Sequence, residues 1–469
     1  MKNTLIITIG TRDIYVDEKV LNGSFTVEVL KNCLDKNNRP FARLLGELLL
    51  TKINSLKKQI TLPIIQPAID YIKRHSSNIS KVWLIVTDQE KGVGERFYYN
   101  DSINYGKIVK QILGDQLQNP DGTKPSFSLI SVKENITFLD SMYDEFSKST
   151  LMKTLQAEID ETNKVFLLNQ GGIDAVNTAL LFHTIKIAQG KVAHLSVDEK
   201  SNQCIHLNFS EKFIEESEIE KAKAFIRNYD YSALNVLPLV TDVKNIAAYA
   251  QARLQFDFTK ANQYLEVLGI KHRTFMVSQK QELQKIQQGE GGLIKELYFN
   301  ARIKWLQHSY VDFLLRFFRI VEYTVQFKAC RYINIQSFNK DRWGSDLDIY
   351  FDNDENGKFL QDKLNNEIVN GKQLDYYYPS ISTYLAIIKN FNDPDFDFLK
   401  KLQTLSNLRN KSIGAHDFQP VSFDIIREKL LENRLTVDEM FSKLDVFFKL
   451  DFAFHNPFIA INKELTSLL

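Results

Sequence analysis

The feature that most limits what this chain can fold into is a change of pattern near residue 209. Before it, short apolar runs alternate with helix-like stretches; after it, almost everything is helical. The strand-like runs are 4–9, 82–87, 127–132, 165–169, 192–197 and 205–209. Between them, 64–74, 103–117, 142–159 and 174–188 are helical in period or composition. Near-continuous apolar strands need cover on both sheet faces. Strand–helix alternation of this kind predicts an open, mostly parallel α/β sheet. The last two strands, joined by a polar turn around 199–203, predict an edge hairpin.

The second half is rich in Phe, Leu, Lys and Glu and has no sustained heptad or internal repeat. The polar stretch 280–296 carries Gly289, Gly291 and Gly292 and reads as a loop or hinge. Residues 293–332 read as a long helical pattern, and 333–357 hold the strand and turn signals of this half. A chain of 469 residues has room for two or three domains. The expected organisation is an α/β domain at 1–210, a helical linker at 211–290 and an all-α domain at 291–469.

Net charge is +1, so any nucleic-acid partner needs a local groove rather than a global basic field. Cys33, Cys204 and Cys330 are far apart, with no Cys-x-x-Cys. That argues against a disulfide framework and a zinc site, and fits a reducing cytoplasm. The apolar run at 5–9 is too short for a signal peptide, and no stretch approaches the roughly 20 apolar residues that span a bilayer. A cytoplasmic location with no membrane partner is expected.

In the helical half, Arg409-Asn410-Lys411-Ser412-Ile413-Gly414-Ala415-His416 stands out. Seven helical residues return to within roughly 20° of the starting direction, which predicts Arg409 and His416 on one face. Phe398, Leu402 and Leu405 continue that face backwards. Two polar groups on an apolar stripe cost free energy unless something uses them, and phosphodiester binding and cleavage is such a use. A second pair, Arg302 and His308, fails this test: six residues put the side chains about 120° apart. It reads as two positions in a long core helix.

In an open parallel sheet, ligands sit beyond the carboxyl ends of the strands where strand order reverses. Three strand ends are chemically suggestive: Gly10-Thr11-Arg12-Asp13, Thr87-Asp88-Gln89, and Asn169-Gln170-Gly171-Gly172-Ile173-Asp174. The last is a strand-to-helix turn, where paired glycines admit close backbone approach and the helix N-terminus favours a phosphate. The three-glycine dinucleotide fingerprint and the Gly-Lys-Ser/Thr of ATPases are absent. His183 and His194 read as core or sheet-edge residues, and Phe317 and Phe318 as core.

These pieces together resemble the CARF–HEPN effector ribonucleases of type III CRISPR systems. The Gly-Thr-Arg start, the Thr-Asp-Gln strand end and the Asn-x-Gly-Gly turn resemble CARF, a Rossmann-like sensor of cyclic oligoadenylates. The Arg-Asn-x5-His string in a helical half resembles HEPN. The resemblance implies a homodimer with one symmetric pocket for a cyclic tetra- or hexa-adenylate, which acts as allosteric activator. Two copies of Arg409, Asn410 and His416 would share one cleft. It implies metal-independent cleavage of single-stranded RNA by the 2′-hydroxyl, leaving a 2′,3′-cyclic phosphate, with DNA spared and no stable DNA partner. Gln170 and Ile173 depart from the family, which usually carries hydroxyl residues there.

Two other readings have a foothold. Gly344-Ser345-Asp346-Leu347-Asp348 resembles part of a nucleotidyltransferase site, though Gln336-Ser337 occupies the place of the upstream Gly-Ser. A nucleotide-sensing regulator without catalysis is the other. Asp352-Asn353-Asp354-Glu355-Asn356-Gly357 begins like a calcium loop, but Lys363 replaces the closing carboxylate, so it reads as a polar turn.

Overall fold

Six strands organise the first half of the computed structural model: β1 Lys2–Thr8, β2 Ile79–Thr87, β3 Ser126–Val132, β4 Thr162–Leu168, β5 Val192–Asp198 and β6 Gln203–Leu207. The structure describes residues 2–469 except 76–77, 134–135, 289, 337, 370 and 414–417. The sheet order is β3-β2-β1-β4-β5-β6. Every neighbouring pair is parallel except the β5–β6 hairpin. All six expected strands form; the central ones are buried from both sides, while the edge strands β3 and β6 are partly exposed. Leu5 and Ile7 of β1 enter one core, and Ile6 between them enters the other. That is the two-residue period of a strand feeding two layers at once.

The first core is covered by α1 Ala42–Thr51, the helix Ile65–Arg74 and α2 Ile103–Gln116. The second is covered by Leu139–Lys148, Thr150–Glu158 and α3 Asp174–Ala188. The expected helix over 142–159 is therefore two. Ser149 is extended (ψ 146°) and its hydroxyl caps the second piece by accepting from Met152 N–H at 3.2 Å. The segment between β1 and Ile65, given no elements from sequence, holds α1, three shorter helices and an antiparallel pairing of Tyr15–Val16 with Ile60–Thr61.

The chain divides into two units, Met1–Ser217 and Glu218–Leu469. Among the described residues, the strands of the second are the short pair Ile368–Val369 and Lys372–Gln373, and its other regular elements are helices. Helices Thr241–Leu254, Phe258–Glu266 and Arg273–Gln287 pack with the C-terminal helix Pro457–Ser467 around Val243, Ile246, Leu265, Phe458 and Ile461. The expected linker thus has a core of its own, closed by the end of the chain.

Three local readings are corrected. The hinge at 280–296 is instead the end of one helix and the start of α4 Glu290–Leu306. A Cβ on Gly292 would sit 2.7 Å from the Lys285 carbonyl, so that glycine serves close helix approach. Gly289 lies outside the described residues. The long helix at 293–332 breaks at His308, whose φ is +56°, before α5 Tyr310–Tyr332. The 333–357 stretch is mostly helix: Trp343–Asn353 is followed by Glu355–Asn365, capped by the Asp354 carboxylate.

Candidate functional sites in the two units

The chain passes from β1 outward to β2 and β3, then returns to the other side of β1 for β4. Strand order therefore reverses between β1 and β4, and the Gly10 and Gly171 turns meet there. A Cβ on Gly10 would lie 2.1 Å from Gly172 N, and one on Gly171 would lie 2.1 Å from Asp13 Oδ2. Gly172 has φ +85°. The Thr8 hydroxyl donates to the Gly171 carbonyl at 2.7 Å, joining the two turns. Backbone is all that fits at this junction.

Asp13 is fully buried beneath it, and its Oδ2 accepts the Gly10 N–H at 2.6 Å. Its Oδ1 is buried with no hydrogen-bond partner. Burial pushes its carboxyl up to about 7, against the opposing pull of the Gly10 N–H and the Arg12 charge; Glu199 adds a smaller upward push. Thr11 and Arg12 are exposed, and Arg12 reaches Glu199 at 2.7 Å.

The other expected ligand residues are turned elsewhere. The Gln170 amide donates to the Val197 carbonyl and accepts from the Val197 N–H, both at 2.7 Å. It prolongs the β4–β5 ladder past its last paired residues, Leu167 and His194. Asn169 bonds His194 Nε2 at 2.7 Å and the Asn177 carbonyl at 3.0 Å. Ile173 packs into the second core, and Asp174 is exposed in the first turn of α3.

At the β2 end, Thr87 exchanges backbone-to-hydroxyl bonds with Ser102 at 3.1 Å in both directions. The Gln89 N–H donates to Asp101 at 2.6 Å. Arg43, on α1, bonds Asp88 at 2.9 Å and Asp101 at 2.7 Å. Sequence reasoning missed Arg43; a lone Arg among the apolar residues of α1 was the available signal. His183 and His194 are buried as expected, His183 against the Tyr143 carbonyl at 2.8 Å.

In the second unit, α6 Phe396–Gln403 and α7 Leu405–Lys411 carry the apolar stripe: Phe398, Leu402 and Leu405 are buried. Helix α7 ends at Lys411 because Ser412 turns extended (ψ 161°) and gives both its N–H and its hydroxyl to the Arg409 carbonyl, at 3.1 and 2.7 Å. The single helical face from Arg409 to His416 is therefore wrong. Helical phase stops five residues short of His416, which lies outside the described residues. Asn410 is exposed.

The Arg409 guanidinium lies 3.8 Å from the ring centroid of Phe318 on α5. Its Nε is buried without a hydrogen-bond partner, and among the described residues no carboxylate pairs with it. Arg302, by contrast, is a structural arginine: it lies against the rings of Phe441 and Phe452 and 3.5 Å from Asp445. A half-buried guanidinium with no carboxylate partner among the described residues retains a fork of N–H donors suited to a phosphate.

The nucleotidyltransferase reading does not survive. Asp346 and Asp348 stand two residues apart on a helix rather than a strand, so their side chains diverge by about 160°. Asp346 pairs with Arg342 at 3.2 Å, and Asp348 accepts from the Tyr377 hydroxyl at 2.7 Å. Ser337 lies outside the described residues. Among those residues, no helix is long and apolar enough to cross a membrane.

No protein-family model matches this chain, and no curated protein does. Among solved structures, it is similar to Enterococcus italicus Csm6 bound to cyclic hexa-2′-fluoro-hexa-dAMP, with a TM-score of 0.52 and 13% sequence identity. The alignment covers 100% of both chains. The similarity in fold therefore runs the whole length of the chain.

Proposed function

We propose that this protein is a cyclic-oligoadenylate-activated endoribonuclease of type III CRISPR defence, working as a homodimer. Residues 1–210 form the sensor, 291–469 the nuclease, and 211–290 the element that couples them. One observation carries the reading: Arg409 is held half-buried on an aromatic ring with no carboxylate partner among the described residues. The resemblance in fold to a cyclic-oligonucleotide-bound Csm6 supports the sensor assignment.

The activator's phosphates would meet backbone N–H groups at Thr11–Arg12 and Gly171–Gly172, and the N-terminus of α3, while the Gly10 N–H stays on Asp13. The exposed Arg12 adds a positive charge there once it exchanges Glu199 for phosphate. The ring symmetry of a cyclic tetra- or hexa-adenylate suits a two-fold pocket.

In the nuclease, the substrate 2′-oxygen forms a bond to the adjacent phosphorus and the P–O5′ bond breaks. The products are a 2′,3′-cyclic phosphate and a 5′-hydroxyl; the 2′-hydroxyl proton is released and the leaving oxygen gains one. His416 is the residue assigned to proton transfer. Arg409 stabilises charge on the non-bridging oxygens, and Asn410 orients one of these groups. No metal is assigned a part, and DNA lacks the nucleophile.

The test is a fluorogenic assay with RNA and DNA reporters and cyclic tri-, tetra- and hexa-adenylate in parallel. RNA cleavage with the tetra- or hexa-adenylate, and none of DNA, is the expected result. Silence with all three rings would leave a nucleotide-sensing regulator without catalysis.

A further inference from the structure

We infer that Phe318 is a positioning residue for Arg409: its ring fixes the plane of the guanidinium while leaving the N–H donors open to an incoming phosphodiester. The inference rests on the nuclease reading above and concerns how its arginine is held. Arg409 and Phe318 belong to different helices, α7 and α5, and meet at 3.8 Å from cation to ring centroid. A ring face attracts the cation through its quadrupole and takes up none of the five N–H groups. A carboxylate partner would occupy the same fork that must bind phosphate, and would cancel the charge that has to develop its effect there. Among the described residues no carboxylate takes that fork, and the buried Nε has no hydrogen-bond partner, so the ring is the contact that sets the plane of the group.

The rest of the local structure holds the two partners in register. The Arg409 carbonyl is clamped by Ser412 N–H and hydroxyl. Helix α5, which supplies the ring, also grips the start of α6. Lys328 Nζ lies 2.9 Å from Asp393 and 2.7 Å from Asp395, and the Tyr332 hydroxyl donates to Asp393 at 3.0 Å. Phe318 and Lys328 are ten residues, about 15 Å, apart along α5. One rigid helix thus fixes the helix pair at its origin and the arginine near its end. Phe317, next in sequence, is buried in the core and anchors that part of α5.

The test uses full-length protein in RNA-cleavage assays. Phe318→Leu keeps the apolar bulk and loses the π face; Phe318→Trp restores a face. The expected result is a fall in kcat of about tenfold in Phe318→Leu, with KM and thermal midpoint near wild type, and recovery in Phe318→Trp. Wild-type kcat in Phe318→Leu, with Arg409→Ala inactive, overturns the platform and leaves the nuclease reading standing. A lowered thermal midpoint in Phe318→Leu that Trp does not restore also overturns it, because the ring is then packing alone. Full activity in Arg409→Ala overturns the nuclease reading itself, and the platform with it.

Discussion

The buried carboxylate of Asp13 accepts the N–H of Gly10 at 2.6 Å, in the turn that meets the Gly171–Gly172 turn where strand order reverses. Two loops 160 residues apart in sequence are built around a group that prefers to keep its proton.

The pH dependence follows from that preference. The folded carboxyl sits near 7 and the unfolded one near 3.8. Its stabilising contribution is therefore complete below about 3.8 and is lost as pH rises toward 7. Between pH 5 and pH 8, the stability of wild type relative to Asp13→Asn should fall by about 2–3 kcal/mol. Urea midpoints of both proteins at the two pH values measure this; a constant difference refutes it.

The glycines at the junction have no room to grow. Gly171→Ala drives a methyl into the Asp13 carboxylate and the Thr8 carbonyl. Cyclic-oligoadenylate affinity should weaken by about tenfold or more, read by calorimetry. Gly114→Ala, with nothing near the added methyl, is the contrasting variant and should gain roughly 0.5–1 kcal/mol of stability.

The helical unit contains a buried ion pair whose two halves depend on each other. Arg253 Nε and Nη2 bond the two Glu296 oxygens at 2.7 and 2.9 Å, and their side chains are 1% and 3% exposed. Glu296→Gln strands a buried cation and should cost about 3–5 kcal/mol by denaturant unfolding. The double variant Arg253→Met with Glu296→Leu should recover much of that loss.

The acidic pair on the helix Trp343–Asn353 should be dispensable for catalysis. Asp346→Asn with Asp348→Asn should leave RNA cleavage within about twofold of wild type and cost about 1 kcal/mol, because the Arg342 that pairs with Asp346 is itself exposed. Loss of activity in that variant would return those carboxylates to the active site.

Much of the first unit was legible because its signal is strong and local. The central apolar runs needed burial on two faces, and Asp174–Ala188 begins and ends where its composition does. Local alternatives decided the rest. Ser149 and Ser412 offer side-chain bonds that stop a helix, and apolar periodicity carries no trace of that competition. The Gln170 amide was expected at the ligand, yet the neighbouring backbone of Val197 offered it two bonds. Arg43 gathers Asp88 and Asp101 from distant segments, a three-body arrangement no spacing rule detects. In the second unit, the stripe of Phe398, Leu402 and Leu405 was readable, but its end at Lys411 was not.

Arg409-dependent RNA cleavage is read by mass spectrometry of RNA fragments after incubation with cyclic hexa-adenylate and with cyclic tetra-adenylate, for wild type and Arg409→Ala. Wild type with one of the two rings should give fragments ending in 2′,3′-cyclic phosphate and beginning with 5′-hydroxyl, and Arg409→Ala should leave the RNA intact. Equal cleavage by both proteins, or 3′-hydroxyl ends from wild type, would contradict it.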